Sequence, residues 1–160
     1  MKTVDNFSFK GKRALIRVDF NVPLNDSFVI QDDSRMTASL PTIKKVLNDG
    51  GSVVLMSHLG RPKNGPENKF SLKHLVPHLK KITGADVMFS DNCISQDAID
   101  ASKNLENGKI HLLENLRFYS EETAGNDEFA RTLSQHGDVY VNDAFGTAHR
   151  SHASTAVIAN

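Results

Sequence analysis

The side chains of this sequence that could do chemistry sit at the ends of short apolar runs. Ser57-His58-Leu59-Gly60-Arg61-Pro62-Lys63 follows the run Val53-Val54-Leu55-Met56. An imidazole, a guanidinium and an ammonium in one short loop suit a phosphate or carboxylate, because cationic donors bond such oxyanions strongly. Gly60 opens backbone conformations closed to other residues, and Pro62 restricts Arg61 to an extended one. The loop therefore holds His58 and Arg61 in a fixed relation. Asp19 and Asn21 follow residues 13–18. Two apart in an extended segment, they face the same way. A carboxylate beside an amide can grip a hydroxyl and one carboxylate oxygen, or the pair can simply shape the turn before Pro23. Arg117 follows residues 109–113, and Arg150 follows residues 138–141. Arg35 falls in the first turn of a predicted helix, where a cation opposes the helix dipole and an anionic ligand would remove the conflict. A surface ion pair with Asp32 or Asp33 is the plainer account of that arginine.

Each of these groups needs an element to carry it. Residues 53–56 are uniformly apolar and too short for a helix, which suits a strand buried on both faces of a parallel sheet. Residues 13–18, 86–89, 109–113 and 138–141 read as further strands. Between them lie helical patterns. Met36, Leu40, Ile43 and Leu47 follow a cap at Asp33 or Ser34 and stop before Gly50-Gly51, with a kink expected at Pro41. Leu72, Leu75, Val76, Leu79 and Ile82 follow a cap at Ser71 and end at Gly84. Residues 95–103 form a short helix, and residues 127–135 another with Phe129, Ala130 and Leu133 inward. Strand and helix in alternation predict an α/β fold: a doubly wound, mostly parallel, Rossmann-like sheet with helices on both faces. Ligands of such sheets bind at the carboxyl edge of the strands. There the residues above would form a cationic basin with a small acidic corner. The ligand it suits is small, with a phosphate of about −1.5 to −2 charge at one end and a second polar end.

Composition narrows the field. The chain has 160 residues, 19 Lys+Arg and 19 Asp+Glu, for a net charge of zero. One domain fits that length, and a nucleic-acid binder working by bulk basicity does not fit that charge. One cysteine, Cys93, allows no internal disulfide and suits a reducing cytosol; it reads as packing or partly exposed. No apolar run is long enough to span a membrane, and residues 1–12 carry no signal-peptide pattern. His74 and His78 have metal-ligand spacing, but Pro77 lies between them and no Glu follows His74, so both read as solvent-facing. His149 and His152 lack a third ligand and read as caps in a hydrogen-bonded hinge. Glu121 and Glu122 read as solvated members of an acidic loop over residues 120–126. Neither a Gly-x-x-x-x-Gly-Lys-Ser/Thr nor a Gly-x-Gly-x-x-Gly nucleotide cradle occurs.

Four stretches are also recognisable together: residues 17–24 (RVDFNVPL), 57–63 (SHLGRPK), 113–118 (LENLRF) and 142–150 (NDAFGTAHR). In these motifs and their order, across essentially all 160 residues, the chain resembles the phosphoglycerate kinases. The resemblance implies a glycolytic transferase that passes a phosphoryl group between 1,3-bisphosphoglycerate and ADP, giving 3-phosphoglycerate and ATP. Asp19 and Asn21 would hold the hydroxyl and carboxylate end. His58, Arg61, Arg117 and Arg150 would hold the unreactive 3-phosphate, with Leu59 and Gly60 in the same loop. Arg35 would be catalytic, reaching the carboxyl end and steadying the phosphoryl group in flight. The likeness extends only to the first domain of that two-domain enzyme. It implies that residues 1–160 form the substrate-binding N-terminal domain, with the C-terminal domain that binds Mg-ADP or Mg-ATP absent. On that basis the chain binds 3-phosphoglycerate without catalysing, and carries no cofactor and no metal. A cytoplasmic enzyme, monomeric at full length, with no nucleic-acid or membrane partner, is implied as well. Residues 120–126 depart from the family pattern and are not expected to touch ligand. The alternative is a non-catalytic phosphometabolite-binding module.

Overall fold

The computed structural model describes residues 7–63 and 65–143. Five strands, β1 (Arg13–Val18), β2 (Ser52–Met56), β3 (Val87–Ser90), β4 (Ile110–Leu113) and β5 (Val139–Asp143), form one sheet in the order β3-β4-β2-β1-β5. Every pairing is parallel, with Leu15 opposite Val54 and Val54 opposite His111 across the centre. The chain runs from β1 through β2 to β3, turns back to β4, and then crosses to β5 beyond β1. Right-handed crossovers made in opposite directions leave their helices on opposite faces. The doubly wound α/β expectation therefore holds.

The side-chain alternation of β2 shows both faces covered. Val53 and Leu55 join one core with Met36, Ile43, Leu75 and Leu79. Val54 and Met56 join the other with Leu116, Phe129 and Leu133. All of β2 is buried, as its unbroken apolar run requires. On the first face lie α1 (Ser34–Ala38), α2 (Leu40–Asn48) and α3 (Val76–Thr83). On the second lie α4 (Gln96–Lys103), α5 (Ser120–Thr123) and α6 (Asp127–Ser134).

Helix boundaries follow local chemistry. The expected kink at Pro41 is a break: α1 stops at Ala38, and Pro41 occupies the first turn of α2, where a missing N–H costs nothing. The pattern after Ser71 is likewise divided, into a 3-10 turn over Leu72–Leu75 and then α3, with Pro77 in its first turn. Ser71 caps the turn through Lys73 N–H, and Gly84 closes α3 in the left-handed region at φ 68°.

A chain of hydrogen bonds crosses the second face. Ser90 Oγ lies 2.7 Å from His111 Nε2, and Ser102 Oγ lies 2.8 Å from His111 Nδ1 and 2.6 Å from His136 Nδ1. His136 Nε2 lies 2.7 Å from the carbonyl of Cys93. A carbonyl can only accept, so neutral His136 donates from Nε2 and accepts at Nδ1 from the Ser102 hydroxyl. Ser102 then accepts from His111 Nδ1–H, and His111 Nε2 accepts from Ser90. One proton order satisfies every member of this chain.

Candidate anion site at the carboxyl edge of the sheet

The loops after β1, β2 and β4 leave the same edge and are sewn together by side-chain amides and hydroxyls. Asn21 Oδ1 accepts the Gly60 N–H at 2.8 Å, and Ser57 Oγ accepts the Phe20 N–H at 2.9 Å. Asn115 donates from Nδ2 to the carbonyls of Leu59 (2.7 Å) and Phe70 (2.9 Å), while its Oδ1 accepts from Arg117 N–H at 2.9 Å. Glu114 accepts from Ser71 Oγ (2.7 Å) and from Leu72 N–H (2.9 Å). These bonds fix the spacing of the groups the loops display.

Two clefts open along this edge. One, about 570 Å³, is lined by Arg61, Lys63, Arg117, Tyr119, Ser120 and Glu121 among others. The other, about 430 Å³, is lined by Asn21, Arg35, Gly60, Lys69 and Phe70 among others. Both are of the size that takes small ligands. The first is lined by two guanidinium groups, an ammonium and the Glu121 carboxylate, the second by a guanidinium, an ammonium and an amide.

Arg35 does not pair with Asp32 or Asp33. Its Nη1 donates to the carbonyl of Asn21 at 2.7 Å and lies 3.5 Å from Asp19 Oδ1. Asp32 instead accepts from Ser34 N–H and Ser34 Oγ. The same Asp19 oxygen accepts the Asn21 N–H at 3.1 Å, so this carboxylate both shapes its turn and faces the arginine. Leu59 sits differently from its neighbours: its side chain is 3% exposed and packs in the core, and only its carbonyl is engaged at the edge. Gly60 adopts φ 63°, and a Cβ there would lie 2.4 Å from the ring of Phe70. Arg150, with His149 and His152, lies outside the described residues.

His58 is oriented from behind by Arg17, which sequence reasoning missed. Arg17 is fully buried, donating from Nη1 to the carbonyl of Val18 (2.7 Å), with Nη2 3.2 Å from His58 Nδ1. A guanidinium only donates, so His58 accepts at Nδ1 and carries its proton on Nε2. Burial lowers the pKa of Arg17, and the charge of Glu122 opposes that shift. The signal in the sequence was the charge at Arg17, which follows the apolar run Ala14-Leu15-Ile16 and sits inside the strand, whereas Arg13 only opens it.

Glu122 corrects the solvated reading: it lies on α5 and is 0% exposed. Residues 120–126, not expected to touch ligand, supply Ser120, Glu121 and Thr123 to the lining of the Arg61–Arg117 cleft. Cys93 is buried, its thiol donating to the carbonyl of Glu114 and its pKa raised well above the usual value by burial. His74 and His78 are partly buried and hydrogen-bonded rather than solvent-facing. Among the described residues, no three His, Cys, Asp or Glu side chains cluster as a metal site.

The phosphoglycerate kinase family model matches residues 4–160. The chain belongs to the phosphoglycerate kinase family. Phosphoglycerate kinase from Porphyromonas gingivalis is 48% identical over an alignment covering 99% of this chain and 43% of that protein. The Borrelia hermsii phosphoglycerate kinase is 51% identical, covering 99% and 40%. The solved phosphoglycerate kinase of Coxiella burnetii superposes with a TM-score of 0.82 at 37% identity, over 96% of this chain and 38% of that one. That of Pyrococcus horikoshii gives 0.85 at 32% identity, over 99% and 40%. The chain thus spans about two fifths of the length of the phosphoglycerate kinases it matches. Within the family's fold, the structure brings Asp19, Asn21, Arg35, His58, Gly60, Arg61 and Arg117 to one sheet edge.

Proposed function

We propose that residues 1–160 are the acid-substrate half of a cytosolic, monomeric phosphoglycerate kinase, binding 3-phosphoglycerate and 1,3-bisphosphoglycerate. The carrying observation is the pairing of two clefts on one edge, one with Arg61 and Arg117, the other with Arg35, Asn21 and Lys69. In this reading the first takes the unreactive 3-phosphate, helped by the Nε2–H of His58 and by Arg150. The second takes the carboxyl end, with Asp19 and Asn21 at the hydroxyl and the backbone of Leu59 and Gly60 as floor.

Phosphoryl transfer asks a protein chiefly for positioning and for neutralisation of charge on the moving group. In the ATP-forming direction, the bond from phosphorus to the C1 acyl oxygen breaks and a bond to the terminal phosphate oxygen of ADP forms. The acyl oxygen leaves as a carboxylate. Arg35, held by Asp19 and Asn21 at the cleft mouth, is placed to stabilise that developing carboxylate and the group in transit. The donors here are guanidinium, ammonium, imidazole and amide groups, which suit the oxyanions of the acid substrate. On the family resemblance, Mg-ADP or Mg-ATP is assigned, as co-substrate, to a C-terminal nucleotide-binding domain of the same enzyme, outside these residues.

Calorimetric titration of the chain with 3-phosphoglycerate tests this reading. Saturable binding is expected, weakened about tenfold by Arg61→Met and by Arg117→Met, the scale of one lost charged hydrogen bond. No turnover is expected from this chain alone. Absence of saturable binding, or phosphoryl transfer by these 160 residues unaided, overturns the reading.

A further inference from the structure

Both walls of the Arg35 cleft are fastened to one short helical stretch. His74 Nε2–H donates to the carbonyl of Asn68 at 2.7 Å, fixing the turn that carries Lys69 and Phe70 into the cleft. The ring of His74 also lies flat against Phe28, with centroids 3.9 Å apart and planes 1° from parallel. One helical turn on, His78 Nε2–H donates to Asp33 Oδ2 at 2.8 Å, at the residue that precedes α1 and Arg35.

Phe28 supplies an independent sign that this arrangement is held in place. Its φ is 62°, the one described non-glycine residue in the left-handed region, and bulky side chains avoid that conformation. Such strain persists only where surroundings over-determine it. Here Asn25 Oδ1 accepts the N–H groups of Ser27 and Val29, and a bridge between Leu24 and Ile30 closes the loop. The loop tip then rests on His74. The segment bearing Arg35 is thus pinned at Phe28 and at Asp33, and the opposite wall is pinned at Asn68. Asn115 holds the carbonyls of Leu59 and Phe70 on that same wall and accepts the Arg117 N–H, so it joins the two clefts. The Arg35 side is held to the helical stretch through Asp33 and Phe28.

We propose that His74 and His78 are positioning residues for the acid end of the cleft: tying both walls to one helical stretch, they set the separation of Arg35 from the Gly60–Lys69 side. Neither reaches the substrate; both act through the residues they hold. The inference rests on the acid-substrate reading above, and it assigns work to a histidine pair whose spacing alone suggested metal.

The test compares 3-phosphoglycerate with glycerol 3-phosphate, which has the same phosphate and no carboxylate. In His74→Leu/His78→Leu, affinity for 3-phosphoglycerate is expected to fall about tenfold, while affinity for glycerol 3-phosphate stays within about twofold. Asp33→Ala removes the second pin from its other side, leaving the histidine-bearing stretch unaltered; the Asp33 side chain makes no cap hydrogen bond to α1. It is expected to match His78→Leu and to add nothing to it, the mark of a shared interaction. His78→Gln, which keeps a donor, is expected to restore most of the loss. Unchanged binding of both ligands, or an equal loss of both, overturns the proposal. Should the wild-type chain bind neither ligand, the functional reading fails separately. The clamp is then decided without ligand, by whether Asp33→Ala shifts the Arg35 Nε–H resonance; no shift overturns it.

Discussion

Arg17 and Glu122 show how single side chains set the site. Arg17 fixes the proton of His58 on Nε2 and is itself buried, with Glu122 the strongest charge favouring its cationic form. Removing one charge of a buried set strands the other. Glu122→Gln is therefore expected to cost about 3 kcal/mol, read as a lower urea midpoint at unchanged slope; an unmoved midpoint contradicts it. Gly60→Ala drives a Cβ into the ring of Phe70 at φ 63°. The ring or the loop must shift, and a loss of about 1–3 kcal/mol is expected, of the size of an overpacked site. Retained stability together with retained 3-phosphoglycerate affinity would contradict it. The sequence announced Gly60, because its turn chemistry is local. It concealed Glu122, because the neighbours that bury it come from other strands and helices. A run of acidic residues looks solvated from its own composition.

At the scale of elements, the serine–histidine chain ties β3 and β4 to α4 and to the turn after α6. Burial first, and the neighbouring His136 second, push His111 down to about 4. Unfolded histidine titrates near 6.5. Between those values the unfolded chain binds the extra proton, so stability is full above about pH 6.5 and falls as pH drops toward 4. His111 alone accounts for about 3 kcal/mol of that loss, and His136, also lowered by burial, adds in the same sense. Urea midpoints measured from pH 7 to pH 4 check this; a flat profile contradicts it. Ser102→Ala strands both Nδ1 atoms and is expected to cost about 1–3 kcal/mol, with a denaturation midpoint as readout. Elements with local signals were legible: the strand at residues 13–18, the cap at Ser71, and the inward face of α6. The break at Ser39 was legible only as a kink, since Pro41 permits either. His111 and His136 gave no signal, because Ser102 joins them only once the sheet is formed.

For the whole molecule, the alternation of strands and helices led to a parallel, two-faced sheet, and the family's solved structures share that fold. Strand order was not legible, since β-propensity does not say which strand flanks β1 on its far side. The order matters because it makes β1 and β2 central neighbours, with β4 beside β2. Their trailing loops then meet, and cations spread through the sequence of a net-neutral chain collect on one edge. The distance between Asn21 and Asn115 along the chain is closed by their shared hold on the Leu59–Gly60 backbone. The most direct measurement is a map of backbone amide shifts as 3-phosphoglycerate is added to the chain. Saturable shifts are expected at Asn21, Gly60, Arg61 and Arg117, with none at Lys12, Gly51 and Gly108 on the opposite edge. Shifts spread over both edges, or no saturation, would contradict a single anion-gathering rim.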